Sequence, residues 1–302
     1  MVASDPFLAP PRSFASLALL ACLAATGCVW TSDGGITERV VADEDHVVVA
    51  DHAFDGGALV IRNNFGDVRV RGVVGAERLR VRARFIAGAN NSDDANAAFA
   101  DLADRLVVEE TEGQWQVYCQ QAAQTHGSVV PNATGCERLV VEVPAGEGVE
   151  PLALTVLGDM GGAHIQGVEV QELKVSVPFG VIADVTPTDG ATIDLEGENL
   201  VMGRCDTVLR VPRDTGFSTA ALSVQYPDAG LASEDHRFGV RIEGFADAPP
   251  LAPRTGFTTW NRPGAIEVEA TLRASLGRAI LTSGPAPSAD QISYCDTLEV
   301  EL

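Results

Sequence analysis

Seven arginines lie between Leu59 and Arg84 (Arg62, Arg69, Arg71, Arg78, Arg80, Arg82 and Arg84), against only Asp67 and Glu77. Seven cations less two anions leave a local charge of +5 in a chain of 302 residues whose formal net charge is −21. Guanidinium groups hold carboxylates and phosphates through a planar two-pronged fork, so a row of them is suited to an anion. Strand alternation puts Arg69 and Arg71 on one face, and likewise Arg78, Arg80, Arg82 and Arg84. If the two strands are neighbours, six guanidinium groups form one stripe that could take an anionic glycan, a lipid headgroup or an acidic protein. The opposing expectation is neutralisation, because Glu109, Glu110, Glu112, Glu137 and Glu142 follow on strands that can lie alongside.

Other reactive residue types lack the spacing of a reaction centre. Asp189, Asp194, Glu196 and Glu198 could pair as acid and base on a sugar, but alternation places the last three on one outer face, where solubility explains them. Asp43, Glu44, Asp45, His46, Asp51, His52 and Asp55 form the densest group of hard ligands, and they read as a solvated acidic stretch. His46, His52, His126, His164 and His236 are scattered. The chain contains no G-x-S-x-G, H-E-x-x-H, Walker A, G-x-G-x-x-G or EF-hand loop. These observations predict a non-enzymatic protein with no cofactor and no metal site. The acidic total repels phosphate backbones and argues against a nucleic-acid partner.

The first thirty residues address the chain. Phe14 to Ala25 is an apolar run of 12 residues, preceded by Arg12 and too short to span a bilayer. It is followed by Thr26-Gly27-Cys28, and the run Leu23-Ala24-Ala25-Thr26-Gly27-Cys28 resembles a bacterial lipobox, with Cys28 as the lipidated residue. The same small residues also fit an ordinary secretory signal cut nearby. Val29 after that cysteine, by analogy with lipoprotein sorting, points to the outer membrane. The expected division is a lipoprotein signal peptide over 1–27, a lipid-anchored acidic tether with an opening strand at Val47-Val48-Val49 over 28–57, and a β domain over 58–302.

Six cysteines become four once Cys22 leaves with the signal and Cys28 takes the lipid. An even number in an oxidising compartment predicts two disulfides with three possible pairings. Cys119–Cys136 and Cys205–Cys295 are favoured: the first pair brackets a polar loop between strand-like segments. The second sits in the repeated phrase Cys205-Asp206-Thr207 and Cys295-Asp296-Thr297.

From Ala58 onward, short apolar runs of period two alternate with Gly, Asp, Asn and Pro every ten or so residues, which predicts strands joined by turns. One exception, Ser92 to Arg105, has apolar residues at helical spacing, and predicts an amphipathic helix with Ser92 as N-cap. Trp30, Trp115 and Trp260 read as core residues. The phrase Asn64-Phe65-Gly66-Asp67-Val68-Arg69-Val70-Arg71-Gly72 resembles the rung motif of the bacterial putative-adhesin family, domains of unknown function. Weaker echoes occur at Gly158 to Gly167, Asp189 to Gly197 and Gly277 to Gly284. The resemblance implies an all-β parallel solenoid of stacked short strands with the helix inserted, on an envelope lipoprotein that interacts with other components. A β-sandwich fits the same strand count and spacing.

Overall fold

Apolar residues recur at every second position through most of the chain, and an extended backbone is the conformation that turns them all to one side. The computed structural model describes residues 38–41, 46–54, 56–119, 134–198, 203–227, 238–252, 254–284 and 295–297. Residues 1–37, on which the expected signal segment, Cys28 and the first part of the expected tether fall, lie outside them. The strands are, in order, β1 (Glu38–Val41), β2 (His46–Ala53), β3 (Gly57–Asn63), β4 (Asp67–Val74), β5 (Arg78–Ala89), β6 (Leu106–Thr111), β7 (Gln114–Cys119), β8 (Gly135–Ala145), β9 (Leu152–Gly158) and β10 (Ala163–Val177). They continue as β11 (Val181–Gly197), β12 (Gly203–Cys205), β13 (Thr207–Arg210), β14 (Thr215–Val224), β15 (Gly239–Glu243), β16 (Phe257–Arg262), β17 (Ile266–Ala274), β18 (Arg278–Thr282) and β19 (Cys295–Thr297). One helix, α1 (Ser92–Asp101), and a 3-10 turn at Ala103–Arg105 separate β5 from β6. The protein is all-β, as its periodicity predicts. No helix among the described residues is long and apolar enough to cross a membrane.

Backbone pairing sorts the strands into two rows. In the first, β7, β3, β9, the second half of β10, the second half of β11, β17 and β14 lie side by side and parallel. In the second, β8, β4, the first half of β10, the first half of β11, β13, β18 and β15 do the same. Strands β10 and β11 serve both rows. Register shifts between Gln166 and Val168 and between Val170 and Glu172 mark where β10 passes from one row to the other. Inward residues of both rows, such as Ile61, Val70, Leu154, Ile165, Leu173, Leu195, Leu209 and Leu281, belong to one buried cluster.

Carboxylates at the corners tie successive segments together. Asp67, at the start of β4, accepts a hydrogen bond from the Gly162 N–H at 2.9 Å, just ahead of β10. Asp206, just ahead of β13, accepts from the Arg278 N–H at 3.0 Å, and Asp189 accepts from the Glu267 N–H at 2.9 Å. Each satisfies a backbone donor at a strand end that the ladder leaves without an acceptor. Glycine is required beside two of these corners: a Cβ on Gly66 would overlap the Glu137 carbonyl, and one on Gly277 would overlap that of Cys205.

The ends of the rows are closed by antiparallel strands. Strands β6 and β16 cover the ends of the first row, pairing with β7 and β14. Beyond β16's Trp260, Phe217 and Phe245 complete an aromatic cluster, on which the Arg262 guanidinium sits 4.9 Å from the Phe245 ring centroid. Strand β5 covers β8 and is itself covered by β1 and β2. The tether therefore contributes two strands where the sequence suggested one. Helix α1 buries Ala95 and Ala98, and its N-cap is Asn91, whose side chain accepts from the Asp94 N–H at 2.8 Å, in place of Ser92. Asn outcompetes its neighbour because its backbone is extended at this position while Ser92 is already helical.

Cys119 and Cys136 form a disulfide joining the end of β7 to the start of β8. Cys205 is also disulfide-bonded, and β12 pairs with β19 so that Cys205 lies directly opposite Cys295. Peptide mapping of the unreduced protein is expected to recover the links Cys119–Cys136 and Cys205–Cys295; a different partner for Cys205 would break the β12–β19 register. Replacing the fully buried Leu154 or Leu195 by Ala should cost about 2–5 kcal/mol in urea unfolding. Asp67→Ala should cost about 1–3 kcal/mol through the orphaned Gly162 N–H.

Candidate functional site

Strand β8 decides how the arginines are arranged. It lies between β4 and β5, parallel to the first and antiparallel to the second. Its register draws three lines across the outer face: Asp67, Arg138 and Arg84, then Arg69, Val140 and Arg82, then Arg71, Glu142 and Arg80. On the far side of β4, β10 continues the second line with His164 and the third with Gln166. Beyond them come Ile182 and Asp184 on β11, and Val208 and Arg210 on β13.

The continuous stripe of Arg69, Arg71, Arg78, Arg80, Arg82 and Arg84 is therefore interrupted, because β4 and β5 are not neighbours. Arg82 bonds to Glu142, and the Arg84 Nε stands 3.2 Å from Glu137 Oε2. Arg78 sits at the other margin of β5, opposite Ala53 of β2. Those glutamates are the neutralising strand that the sequence raised as the opposing expectation. By contrast, Arg69, Arg71, Arg80 and Arg138 make no ion pair among the described residues. The Nε atoms of Arg69, Arg71, Arg82 and Arg84 are alike buried without a hydrogen-bond partner, so what sets Arg69 and Arg71 apart is that no carboxylate of the described residues lies within ion-pair distance of their guanidinium groups. An anion over these two residues would gain their charge.

His164 lies among these arginines and is 5% exposed. Burial, and then the positive charges of Arg69, Arg71 and Arg210, push its pKa from 6.5 down to about 4. It is neutral at pH 7 and so adds no charge to a face that also carries the Asp67 and Glu142 carboxylates. Asp67 and Asp184 are both pushed up by burial, Asp67 against the Gly162 hydrogen bond and Asp184 against the Arg210 charge. Past Gln166 and Asp184 the face opens into a groove of about 460 Å³ bounded by Thr186, Arg210 and Arg213.

The remaining candidates are spoken for elsewhere. Asp194 and Glu196 lie on the first row and share Arg273, whose Nη2 is 2.7 Å from Asp194 Oδ1 and 3.4 Å from Glu196 Oε2. Asp189 is a corner residue. Trp115 and Trp260 are buried, while Trp30 and the side chains of the acidic stretch before Phe54 lie outside the described residues. Arg213 joined the site from the turn after β13; Arg138, His164, Gln166, Asp184 and Arg210 joined it only through register. Their one sequence signal is a polar residue alternating with Val, Leu or Ile, which every outward position shares.

No family profile matches the chain, and no curated protein matches it. Two solved structures align along most of its length. One, described as a putative cell adhesion protein from Clostridium sporogenes, covers 80% of this chain and 99% of its own with a TM-score of 0.47 at 11% identity. The other, described as a putative adhesin from Bacteroides fragilis, covers 79% and 97% with a TM-score of 0.23 at 8% identity. Similarity this low transfers neither fold nor function, and the all-β class stands on the strands themselves.

The buried histidine has a measurable consequence. The fold prefers neutral His164, so its contribution to stability is lost as pH falls from the unfolded value of 6.5 toward about 4, and levels off below that. Asp67 and Asp184 act with the opposite sign, since their raised pKa values let the folded state take up protons first. The difference between the wild type and His164→Gln isolates the histidine: the wild type should lose on the order of 2 kcal/mol relative to the variant across that interval in urea titrations.

Proposed function

We propose that this protein is an exported, non-enzymatic binding module of the cell envelope, lipid-anchored through Cys28, that holds an anionic glycan on the outer face of β4 and β8. The observation that carries the reading is the set of four arginines, Arg69, Arg71, Arg80 and Arg138, that make no ion pair among the described residues in a chain of net charge −21. Carboxylates outnumber cations two to one, 42 against 21, so leaving neighbouring arginines unpaired runs against the composition. The fold that presents them reads as a solenoid of stacked coils: parallel pairing of β10 with both β4 and β9 supports successive turns of one coil better than two independent sheets. Such a stack is a rigid platform, and a flat charged face on it suits a polymer that contacts several residues at once.

A structural reading applies to part of the same surface. Arg82 with Glu142 and Arg84 with Glu137 are cross-strand pairs that hold β5 onto β8, and they are assigned to the scaffold.

Capture of the purified protein on immobilised polygalacturonate tests the proposal. Binding is expected at low salt and should weaken at moderate salt. The double variant Arg69→Gln/Arg71→Gln should bind at least about tenfold more weakly, while Arg273→Gln on the other row binds as the wild type does. Equal capture of the double variant and the wild type would remove the arginine face from function.

A further inference from the structure

The groove beyond the arginine face has a chemistry of its own. It lies where β10, β11 and β13 leave the second row, and its polar boundary is Gln166, Asp184, Thr186, Arg210 and Arg213. At about 460 Å³ it falls within the roughly 300–1,000 Å³ of small-molecule sites. The Asp184 carboxylate stands 3.9 Å from Arg210 Nη1. That guanidinium nitrogen is buried without a hydrogen-bond partner, at a separation from Asp184 too long for one. Arg213 is exposed and makes no ion pair among the described residues. Two cations therefore face a single carboxylate, with an amide and a hydroxyl beside them.

This combination selects among ligands. Inorganic phosphate or sulfate would be drawn to the arginines but repelled by Asp184, which offers it no donor. A neutral sugar would satisfy Asp184 and Gln166 through its hydroxyls but leave Arg210 and Arg213 without an anion. A nucleobase or other aryl ligand would find no aromatic side chain on which to stack among the described residues that border the groove. A zwitterionic amino acid matches the charges but occupies only part of the volume. A sugar acid meets every group: its carboxylate lies on Arg210 and Arg213, and its ring hydroxyls donate to Asp184 and Gln166. The groove adjoins Gln166, the register neighbour of Arg71, so a chain of such sugars can pass from the groove onto the arginine face.

We infer that this groove is the subsite for one uronate residue of the anionic glycan, the place where the polymer is recognised as a sugar acid rather than merely as a polyanion. This rests on the reading of the arginine face given above, and it adds a specificity that charge alone does not provide.

Calorimetric titration of the full-length protein with a galacturonate trimer, maltotriose, glutamate and inorganic phosphate tests it. The trimer is expected to bind, with maltotriose, glutamate and phosphate each at least about tenfold weaker. Arg213→Gln, an exposed substitution that leaves the fold intact, and Arg210→Gln should each weaken the trimer about 10- to 100-fold, the cost of a lost charge-assisted hydrogen bond. Asp184→Asn should narrow the gap between trimer and phosphate. No trimer binding up to about 10 mM, equal binding of maltotriose or phosphate, or trimer binding indifferent to both Arg210→Gln and Arg213→Gln would overturn the inference. The polygalacturonate capture separates the two levels: capture that depends on Arg69 and Arg71 but not on Arg210 or Arg213 keeps the binding face and discards the groove. Loss of capture by the wild type itself discards both.

Discussion

Parallel backbone pairing, locked at its corners by aspartate carboxylates, is the constraint on which the molecule depends. Parallel ladders need both faces of their connections arranged so that every strand end finds a partner, and here Asp67, Asp189 and Asp206 supply acceptors where the ladder stops. Side chains alternate with a period of two, so a slip of one residue would turn the buried Val, Ile and Leu outward and every arginine inward. Register is thus the common cause of the core and of the charged face. The close approach of Gly66 and Gly277 to neighbouring carbonyls leaves no room for such a slip at those corners.

The charged face follows from the order of the strands. Because β8 lies between β4 and β5, arginines that are close in sequence are set apart in space, and each margin of β8 meets a different set of neighbours. Glutamates of β8 neutralise the side toward β5, at Arg82 and Arg84. On the side toward β4 the adjoining strand is β10, whose outward residues are His164 and Gln166. Neither carries negative charge, and His164 is held neutral by its burial and then by the arginines around it. The pairing of charges is a matter of which strands touch, and the asymmetry across β8 is what leaves Arg69 and Arg71 available.

Much of this was legible in the residues. Alternation located most of the strands but missed β14, β15 and β16 among others, the Asn64-to-Gly72 phrase fell on a corner and the strand β4, and the polar loop between Cys119 and Cys136 marked a real disulfide. The grouping of arginines was visible, and so were the glutamates that neutralise two of them, Arg82 and Arg84. What local sequence does not contain is the order of strands in a row. Arg138 and His164 become neighbours of Arg69 only through pairings that span dozens of residues, and the groove draws Gln166, Asp184 and Arg210 from three strands. The single opening strand expected before residue 58 became two because the margin of β5 away from β8 is covered in two pieces, by β2 along Arg78–Ala83 and by β1 along Ile86–Ala89. The N-cap moved by one residue because capping depends on backbone angles, which composition does not report.

On the proposed function, the unpaired arginines, and not the arginine-rich segment as a whole, meet the anion. Differential modification by phenylglyoxal, read residue by residue with mass spectrometry in the presence and absence of polygalacturonate, tests it most directly. Protection of Arg69, Arg71, Arg80 and Arg138, together with Arg210 and Arg213 where the groove is also filled, and with Arg82, Arg84 and Arg273 unchanged, is the predicted result. Protection spread evenly over every arginine, or centred on the glutamate-paired Arg82 and Arg84, would contradict it.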